Sequence, residues 1–500
     1  MTAIVLSAGL PAASHAETLA DAIAMAYDSN PTLQAQRATQ RALDETYVQA
    51  RSGWRPTLSV SASASYQELR IPQAALSPVE SRTRQYSNFG VLAVNLTQPL
   101  WTGGRVAAAV SAANADVLAG RENLRRVEAT ILQTVIQAYA DVRRDQEGLR
   151  IQNENLAVLK RQLEESQARF DVGEITRTDV ALSQARLAAS QAQFSSAQAQ
   201  LAISRAAYAA VVGQNPGDLA PEPSLAFLMP ATVDEAFDVA EVNSPVLRAQ
   251  QYAEQASRAR VAGARAERMP NLSLQSSARY IGGTLEPFVQ ERYRRDVTTS
   301  VTVTVPLFTG GLTSSRVRQS IERNNADRIT VETQRRSVLQ TITQTWNQVT
   351  AFRANITSTA EQVRAARIAA EGTRQEEQVG LRTTLDVLNA EQELRAAELS
   401  QINARRDEYV ASSALLSSMG RLEGRNLVPS TPQYDAARNF RGLRVTWGWV
   451  PWEEGIAVVD RAVAFPPIPQ PKTLSREPPK GAGLPVAPVN PAPVAPAPAS

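Results

Sequence analysis

The sequence predicts an α+β chain in which very long paired helices alternate with four strands. Three observations lead to this prediction: a tandem duplication, long stretches of helix-forming residues with little Gly or Pro, and short segments in which apolar and hydroxyl residues alternate. Aromatic residues make up only 5% of the 500 positions, although 43% of the chain is hydrophobic. That balance favours long helices over several ordinary compact domains.

The duplication is visible in a heptamer. QPLWTGG at 98–104 returns as VPLFTGG at 305–311, which is 207 positions later, and residues 18–36 resemble residues 232–250 at a displacement of 214. The two displacements differ because a loop of variable length lies between the matched blocks. Repetition of this kind indicates two copies of one structural plan.

Each copy opens with a predicted helix of about 35 residues. The first runs from Thr18, a suitable N-cap, to Trp54 and is stopped by Pro56; the second runs from Thr232 to Arg268.

Two alternating segments in each copy are predicted strands. Leu58, Val60, Ala62 and Ala64 share one face of a first-copy strand, and Val297, Val301, Val303 and Val305 share one face of a second-copy strand; Ser and Thr occupy the opposite faces. A soluble sandwich can show this pattern, but small hydroxyls also suit a wet lumen and the apolar side suits lipid. The variable segments near residues 71–85 and 282–295 join the strands.

A helix of about 66 residues follows each heptamer, predicted over Arg105–Phe170 and Leu312–Glu377. At about 1.5 Å per residue, each is a rod of about 100 Å. Turns at Gly173 and Gly380 then start return helices. The first return helix has a heptad register of Val180, Leu187, Phe194, Leu201 and Tyr208.

These elements divide the chain into six parts. They are an expected export signal (1–16), the first repeat (17–213), a linker (214–231), the second repeat (232–422), a C-terminal segment (423–465) and a tail (466–500). The signal has a small-x-small pattern at Ser14-His15-Ala16 but no positive residue before its apolar run, so it resembles a truncated one. The tail holds 12 of the 29 prolines and is predicted to be extended or disordered.

Composition excludes several kinds of chemistry. The chain has no cysteine, and its one histidine, His15, lies in the expected signal, so no catalytic, cofactor or metal site is predicted. The formal charge of +3 comes from interspersed acids and bases, which argues against nucleic acid as a partner. No segment after the signal is apolar enough for a membrane helix, so any membrane crossing must use strands.

The heptamer is predicted to join a strand to a long helix. Pro99 and Pro306 should end the strands, and the glycine pairs should let the backbone turn, at Gly103, Gly104, Gly310 and Gly311. Trp101 and Phe308 are predicted either to lie in the aromatic belt of a membrane interface or to be buried against the end of the helix.

Four strands cannot close a barrel in lipid without unpaired edges. Identical subunits must therefore share one barrel. Such barrels have even strand numbers from eight upward, so a dimer, a trimer and a tetramer are all compatible with four strands per chain.

The PLWTGG and PLFTGG junctions, the duplicated long helices and the second turn VGLRTTLDVLNAEQEL resemble the TolC family of outer-membrane export channels over residues 17–422. The resemblance implies a homotrimer with a 12-stranded transmembrane β-barrel and an α-helical coiled-coil tunnel across the periplasm. It also implies docking to a periplasmic membrane-fusion adaptor and an inner-membrane transporter, such as an ABC transporter. The lack of cysteine points to the unlipidated, type I secretion-like subclass.

The resemblance also assigns roles to residues in the two turns. Asp386 matches a constriction carboxylate, and Arg382 matches a residue that tethers the inner coil to Thr178 and Asp179. Asn389 stands where a second carboxylate is expected and Glu377 where a tethering tyrosine is expected, which implies a weaker cation preference and a different latch. Val172-Gly173 and Val379-Gly380 match the adaptor-docking turns. The residue pattern itself also predicts simple helix capping by Thr176 with Asp179 and by Thr383 with Asp386.

The favoured function is a passive conduit for exported proteins or small toxic compounds, since no phosphate-binding loop is present. The alternative is a non-pore periplasmic coiled-coil scaffold or adaptor, which explains the heptads but not the paired alternating segments. An enzyme acting on envelope polymers ranks third.

Overall fold

The computed structural model describes residues 16–70, 84–283, 293–429, 432–443, 445–462 and 464–465. The signal as far as residue 15, the strand-joining loops at 71–83 and 284–292, and the tail from residue 466 lie outside the described residues. Within the described part, none of the helices combines the length and apolar character that crossing a membrane requires.

The two repeats have the same order of elements. The first contains α1 (Leu19–Ser29), α2 (Pro31–Arg51), β1 (Thr57–Arg70), β2 (Arg84–Trp101), α3 (Arg105–Asp171) and α4 (Arg177–Val212). The second contains α5 (Val233–Asn243), α6 (Pro245–Ala266), β3 (Asn271–Gly283), β4 (Tyr293–Thr304), α7 (Leu312–Gln378) and α8 (Thr384–Ser418). The C-terminal segment adds α9 (Gly424–Leu427), α10 (Ala437–Gly442) and α11 (Glu453–Ala462).

The prediction of one continuous opening helix in each repeat is wrong. Asn30 and Ser244 have extended backbones, with ψ of 120° and 117°, and the prolines that follow them start new helices. A proline disfavours the helical conformation of the residue before it, because its ring would clash with that residue. The Asn30 side chain also caps α2 by accepting from the N–H groups of Thr32 and Leu33.

The four strands form one antiparallel sheet in the order β1-β2-β3-β4. The register places nine apolar residues from all four strands on one face, while Val91 and Ile281 lie on the other; the nine are Leu58, Val60, Leu92, Val94, Leu96, Leu274, Val297, Val301 and Val303. The other face carries Ser59, Ser61, Asn95, Ser277, Thr298 and Ser300. Leu58, Val60, Val301 and Val303 each expose more than 60% of their surface, so none of the described residues covers this apolar face.

Each long helix forms an antiparallel pair with its return helix, α3 with α4 and α7 with α8, as predicted. The apolar stripes lie in two related cores. Val135 and Val142 are fully buried in the first, and Ile342 and Val349, displaced by 207, are buried in the second. Tyr208, the last residue of the predicted heptad register, is also fully buried. The duplicated sequence therefore builds two equivalent helical cores.

Candidate functional site

The junction between β2 and α3 is covered by the C-terminal helix α11. Asp460, which has no exposed surface, accepts hydrogen bonds from the backbone N–H groups of Thr102 (2.9 Å), Gly104 (3.0 Å) and Ala107 (3.1 Å). It also accepts from the Thr102 hydroxyl and the Trp54 indole. Asp460 thus satisfies N–H groups at the start of α3 that have no partner within the helix.

Hydrogen bonding also sets the charge state of Asp460. Burial alone would raise the pKa of this carboxyl, but bonds from Gly104, Trp54 and Thr102 outweigh burial and lower the pKa below its usual range. On the same helix, buried Glu453 pairs with Arg51 and with Arg55. Two buried carboxylates therefore fasten α11 to the base of the sheet and to α2.

The predicted turn glycines are required at this junction. Gly103 and Gly104 have φ of +66° and +84°, and a Cβ on Gly104 would lie 2.8 Å from the Ala464 Cα. Gly310 and Gly311 have similar positive φ values, +61° and +83°, yet no atom of the described residues approaches their Cβ positions within 4 Å. The first junction is closed by the chain's own C-terminal segment, whereas the second is open in the single chain.

The prediction that Pro99 ends its strand is wrong by two residues. β2 continues to Trp101 with a bulge between Pro99 and Trp101, while β4 ends at Thr304, ahead of Pro306. The first strand tolerates its proline because β1 begins at Thr57, opposite Thr97, so one side of β2 has no neighbour at Pro99.

The two junction aromatics have different environments. Trp101 is partly buried, whereas Phe308 exposes 90% of its surface beside Leu307 at 93%. Their placement in an aromatic belt stays a prediction.

At the far end of the rods, both turns depend on a glycine. Gly173 and Gly380 have φ of +82° and +76°, and no atom lies within 4 Å of either Cβ position. Beside them Val172 and Val379 expose 72% and 71% of their surfaces. The predicted docking turns are thus exposed apolar tips.

The predicted capping boxes are present beside both turns. Asp179 accepts from the N–H and hydroxyl of Thr176, and Asp386 accepts from the same groups of Thr383. The Thr176 hydroxyl and N–H hold the pKa of Asp179 below its usual range, and the Thr383 N–H and hydroxyl do the same for Asp386. Both carboxylates cap helices, which leaves a pore role for Asp386 open.

The predicted tethering residues make different contacts within this chain. Arg382 donates to Glu376 at 2.8 Å, rather than to Thr178 or Asp179. Glu377 is 97% buried and accepts from Arg169 of α3 at 2.8 Å and from the Thr384 hydroxyl. Glu377 therefore joins the α3–α4 helix pair to the α7–α8 helix pair, and the tether from Arg382 stays a prediction.

Sequence reasoning missed Arg186, which lies on α4. Its guanidinium donates to Asn389 Oδ1 at 3.1 Å and to the Gln392 side chain, both on α8. No local sequence pattern predicts this contact, because the two partners lie 203 and 206 positions from Arg186 in the chain. A basic residue about two turns past the capping Asp179 was the only available signal.

Comparisons with known proteins agree with this geometry. The model of the outer membrane efflux protein family matches residues 22–214 and 236–421. The outer membrane efflux protein BepC of Brucella suis is 32% identical over 435 residues, which cover 87% of this chain and 92% of BepC. The alkaline protease secretion protein AprF of Pseudomonas aeruginosa is 26% identical, covering 80% of this chain and 83% of AprF.

Solved structures share the fold. The outer membrane protein VceC of Vibrio cholerae superposes with a TM-score of 0.67 at 21% identity, covering 80% of this chain and 96% of VceC. The matched segments comprise most of both repeats. The chain therefore belongs to the outer membrane efflux protein family, the TolC-like channels of the outer membrane.

Proposed function

We propose that three copies of this chain form one channel, each contributing its four strands to a 12-stranded barrel and its two helix pairs to a periplasmic tunnel. The observation that carries this proposal is the sheet. One face is apolar and exposed, the other carries hydroxyl and amide groups, and β1 and β4 each have an unpaired edge in the single chain. Edges of this kind are tolerated in lipid only when a neighbouring subunit pairs with them.

In this proposal the channel conducts passively, and an inner-membrane transporter with its periplasmic adaptor supplies both cargo and energy. The relatives support two cargo classes, because BepC is named for efflux and AprF for alkaline protease secretion. Exported proteins and small toxic compounds therefore both remain cargo of the proposed channel.

The proposal is tested with the purified full-length protein. We expect bands of trimer mass that convert to monomer on heating, and ion conductance after insertion into a planar bilayer. A periplasmic scaffold would instead be monomeric in detergent and silent in the bilayer, and that result would overturn the channel.

We further propose that the tip is the constriction, with Asp386 and Asn389 facing the pore and the Arg186 guanidinium holding α8 against α4. Asn389 accepts a hydrogen bond from Arg186. The amide that stands in place of the expected second carboxylate therefore also links α8 to α4. The pKa of Arg395 is lowered, first by the burial of its side chain and second by the like charge of nearby Arg186. The basic pair would offset part of the acidic charge at the mouth.

Replacing Arg186 with Gln is expected to raise the resting conductance of the bilayer-inserted channel several-fold. The reason is that this exposed contact of a charged donor contributes at most about 1 kcal/mol, and losing it shifts α8 several-fold toward outward movement. Arg364→Gln is the matched control, since Arg364 pairs only with Glu361 on its own helix. Equal conductance of the two variants would show that Arg186 does not help to keep the channel closed.

Asp386 is expected to keep the channel cation-selective at a lower pH than an ordinary aspartate would. An unperturbed aspartate has a pKa of about 3.9 and is roughly half protonated at pH 4, whereas the lowered pKa of Asp386 leaves a larger share of this carboxyl ionised at that pH. Reversal potentials in a salt gradient, recorded from pH 7 to pH 4, measure this selectivity.

Asp179→Asn is the control for Asp386→Asn, because both residues cap a return helix and both have lowered pKa values. Loss of cation preference in Asp386→Asn alone supports the constriction. An equal loss in both variants would mean that capping, and not charge at the pore, governs selectivity.

A further inference from the structure

The segment between α10 and α11 exposes an unusual set of aromatic side chains, which we name the tryptophan turn (residues 445–452). Trp447 is fully exposed, Trp449 is 38% exposed and Trp452 is 53% exposed, with Val445 at 70% beside them. The exposed fractions of the three residues add up to nearly two whole tryptophan side chains, on the order of 400 Å² of aromatic surface. Apolar patches of this size usually mark an interaction surface.

The tryptophan turn is held in one conformation. Gly448 has φ of +91°, and the Trp449 N–H donates to the Thr446 carbonyl at 2.9 Å, which closes a tight turn. The next residue after the turn, Glu453, is buried and pairs with Arg51 and Arg55. The exposed indoles are therefore displayed on a rigid support.

One hydrogen bond locates the tryptophan turn relative to the sheet. The Trp452 indole donates to Gln98 Oε1 at 3.1 Å. Gln98 lies on β2 just past Thr97, which pairs with the first residue of β1, so the contact is at the base of the sheet. By the alternation along β2, Gln98 is on the same face as Leu96 and Val94, the exposed apolar face.

The position on β2 also argues for the class of partner. β2 lies between β1 and β3 in the sheet, and Gln98 itself pairs with Leu274 of β3, so the outer edges of β1 and β4, where a second copy would pair, are each at least one strand away from it. The apolar face above Gln98 is the one that suits lipid. Tryptophan is enriched where lipid tails meet head groups, because an indole presents an apolar ring and one N–H donor.

We propose that the tryptophan turn is an interfacial anchor that inserts Trp447 and Trp449 into the inner, phospholipid leaflet of the outer membrane at the base of the barrel. This anchor requires only that the sheet lie in a membrane. It does not depend on trimer formation or on conduction.

The test is quenching of tryptophan fluorescence by brominated phosphatidylcholine in vesicles that contain the full-length protein. We expect the wild type to be quenched and the double variant Trp447→Ser, Trp449→Ser to lose most of the quenchable emission. Trp346→Phe, on α7 among the periplasmic rods, should leave the quenching unchanged. Unchanged quenching in the double variant would overturn the anchor.

A second copy of the chain is the competing occupant. If it covered the tryptophan turn, the double variant would lower the temperature at which trimer bands dissociate, and brominated lipid would not quench the wild type; that pair of results would also overturn the proposal. A protein that is quenched as expected but conducts no ions would refute the proposed channel and leave the anchor standing.

Discussion

Replacing Asp460 with Ala is expected to destabilise the protein by several kcal/mol, because each buried donor left without an acceptor costs about 1–3 kcal/mol. The substitution leaves the N–H groups of Thr102, Gly104 and Ala107 and the Trp54 indole without their acceptor inside the junction. Folded proteins are stable by only about 5–15 kcal/mol, so such a loss is a large share of the total. We expect a marked fall in the thermal unfolding midpoint by circular dichroism and little protein in the outer-membrane fraction.

Glu454→Ala is the matched control for this substitution. Glu454 lies on the same helix and pairs with Arg51, but its side chain is 63% exposed, so its loss should cost at most about 1 kcal/mol. If the two variants unfold alike, the junction does not depend on the carboxylate of Asp460.

Acid gives an independent readout of the same site. The pKa of Asp460 in the folded protein is lower than in the unfolded chain, so the carboxylate contributes stability that is complete above the unfolded pKa of about 3.9. That contribution is lost as the pH falls through the lower folded value. The difference in unfolding midpoint between the wild type and Asp460→Ala should therefore be constant near neutrality and shrink only in acid below about pH 4.

Replacing Gly380 with Val is expected to abolish export while leaving trimers intact. The backbone φ of +76° is costly for a β-branched residue, on the order of 1–3 kcal/mol, so the turn must change shape. Because no atom lies within 4 Å of the Cβ position, the change stays at the exposed tip that we propose as an adaptor-docking turn. Export of a secreted protein or drug, with heat-modifiable trimers scored in parallel, measures both effects.

Gly372→Val serves as the control, because Gly372 is also open to solvent and lies on α7 without a positive φ. Export should persist in that variant. Loss of trimers in Gly380→Val would contradict a purely local role of the turn. If Gly380→Val exported as well as Gly372→Val, the turn would not be a docking site.

Local signals in the sequence were sufficient where the physics is local. Thr176 with Asp179 and Thr383 with Asp386 predicted the helix starts, because a capping box needs only four consecutive positions. The break at Asn30-Pro31 was equally local and was missed, although a proline disfavours the helical conformation of the residue before it. The continuation of β2 past Pro99 was not predictable in this way, since it depends on where β1 begins.

By itself, the sequence determined the helical rods, the two-faced strands and the glycine turns, since each follows from residues close together in the chain, and it showed the duplication through the repeated segments themselves. Only the tertiary structure decided that Asp460 caps α3, that Glu377 meets Arg169, that Arg186 meets Asn389 and that Trp452 meets Gln98. These partners are separated by 203 to 356 positions. A hydrogen bond constrains geometry and not sequence distance, so only the folded chain identifies which distant polar groups share a site.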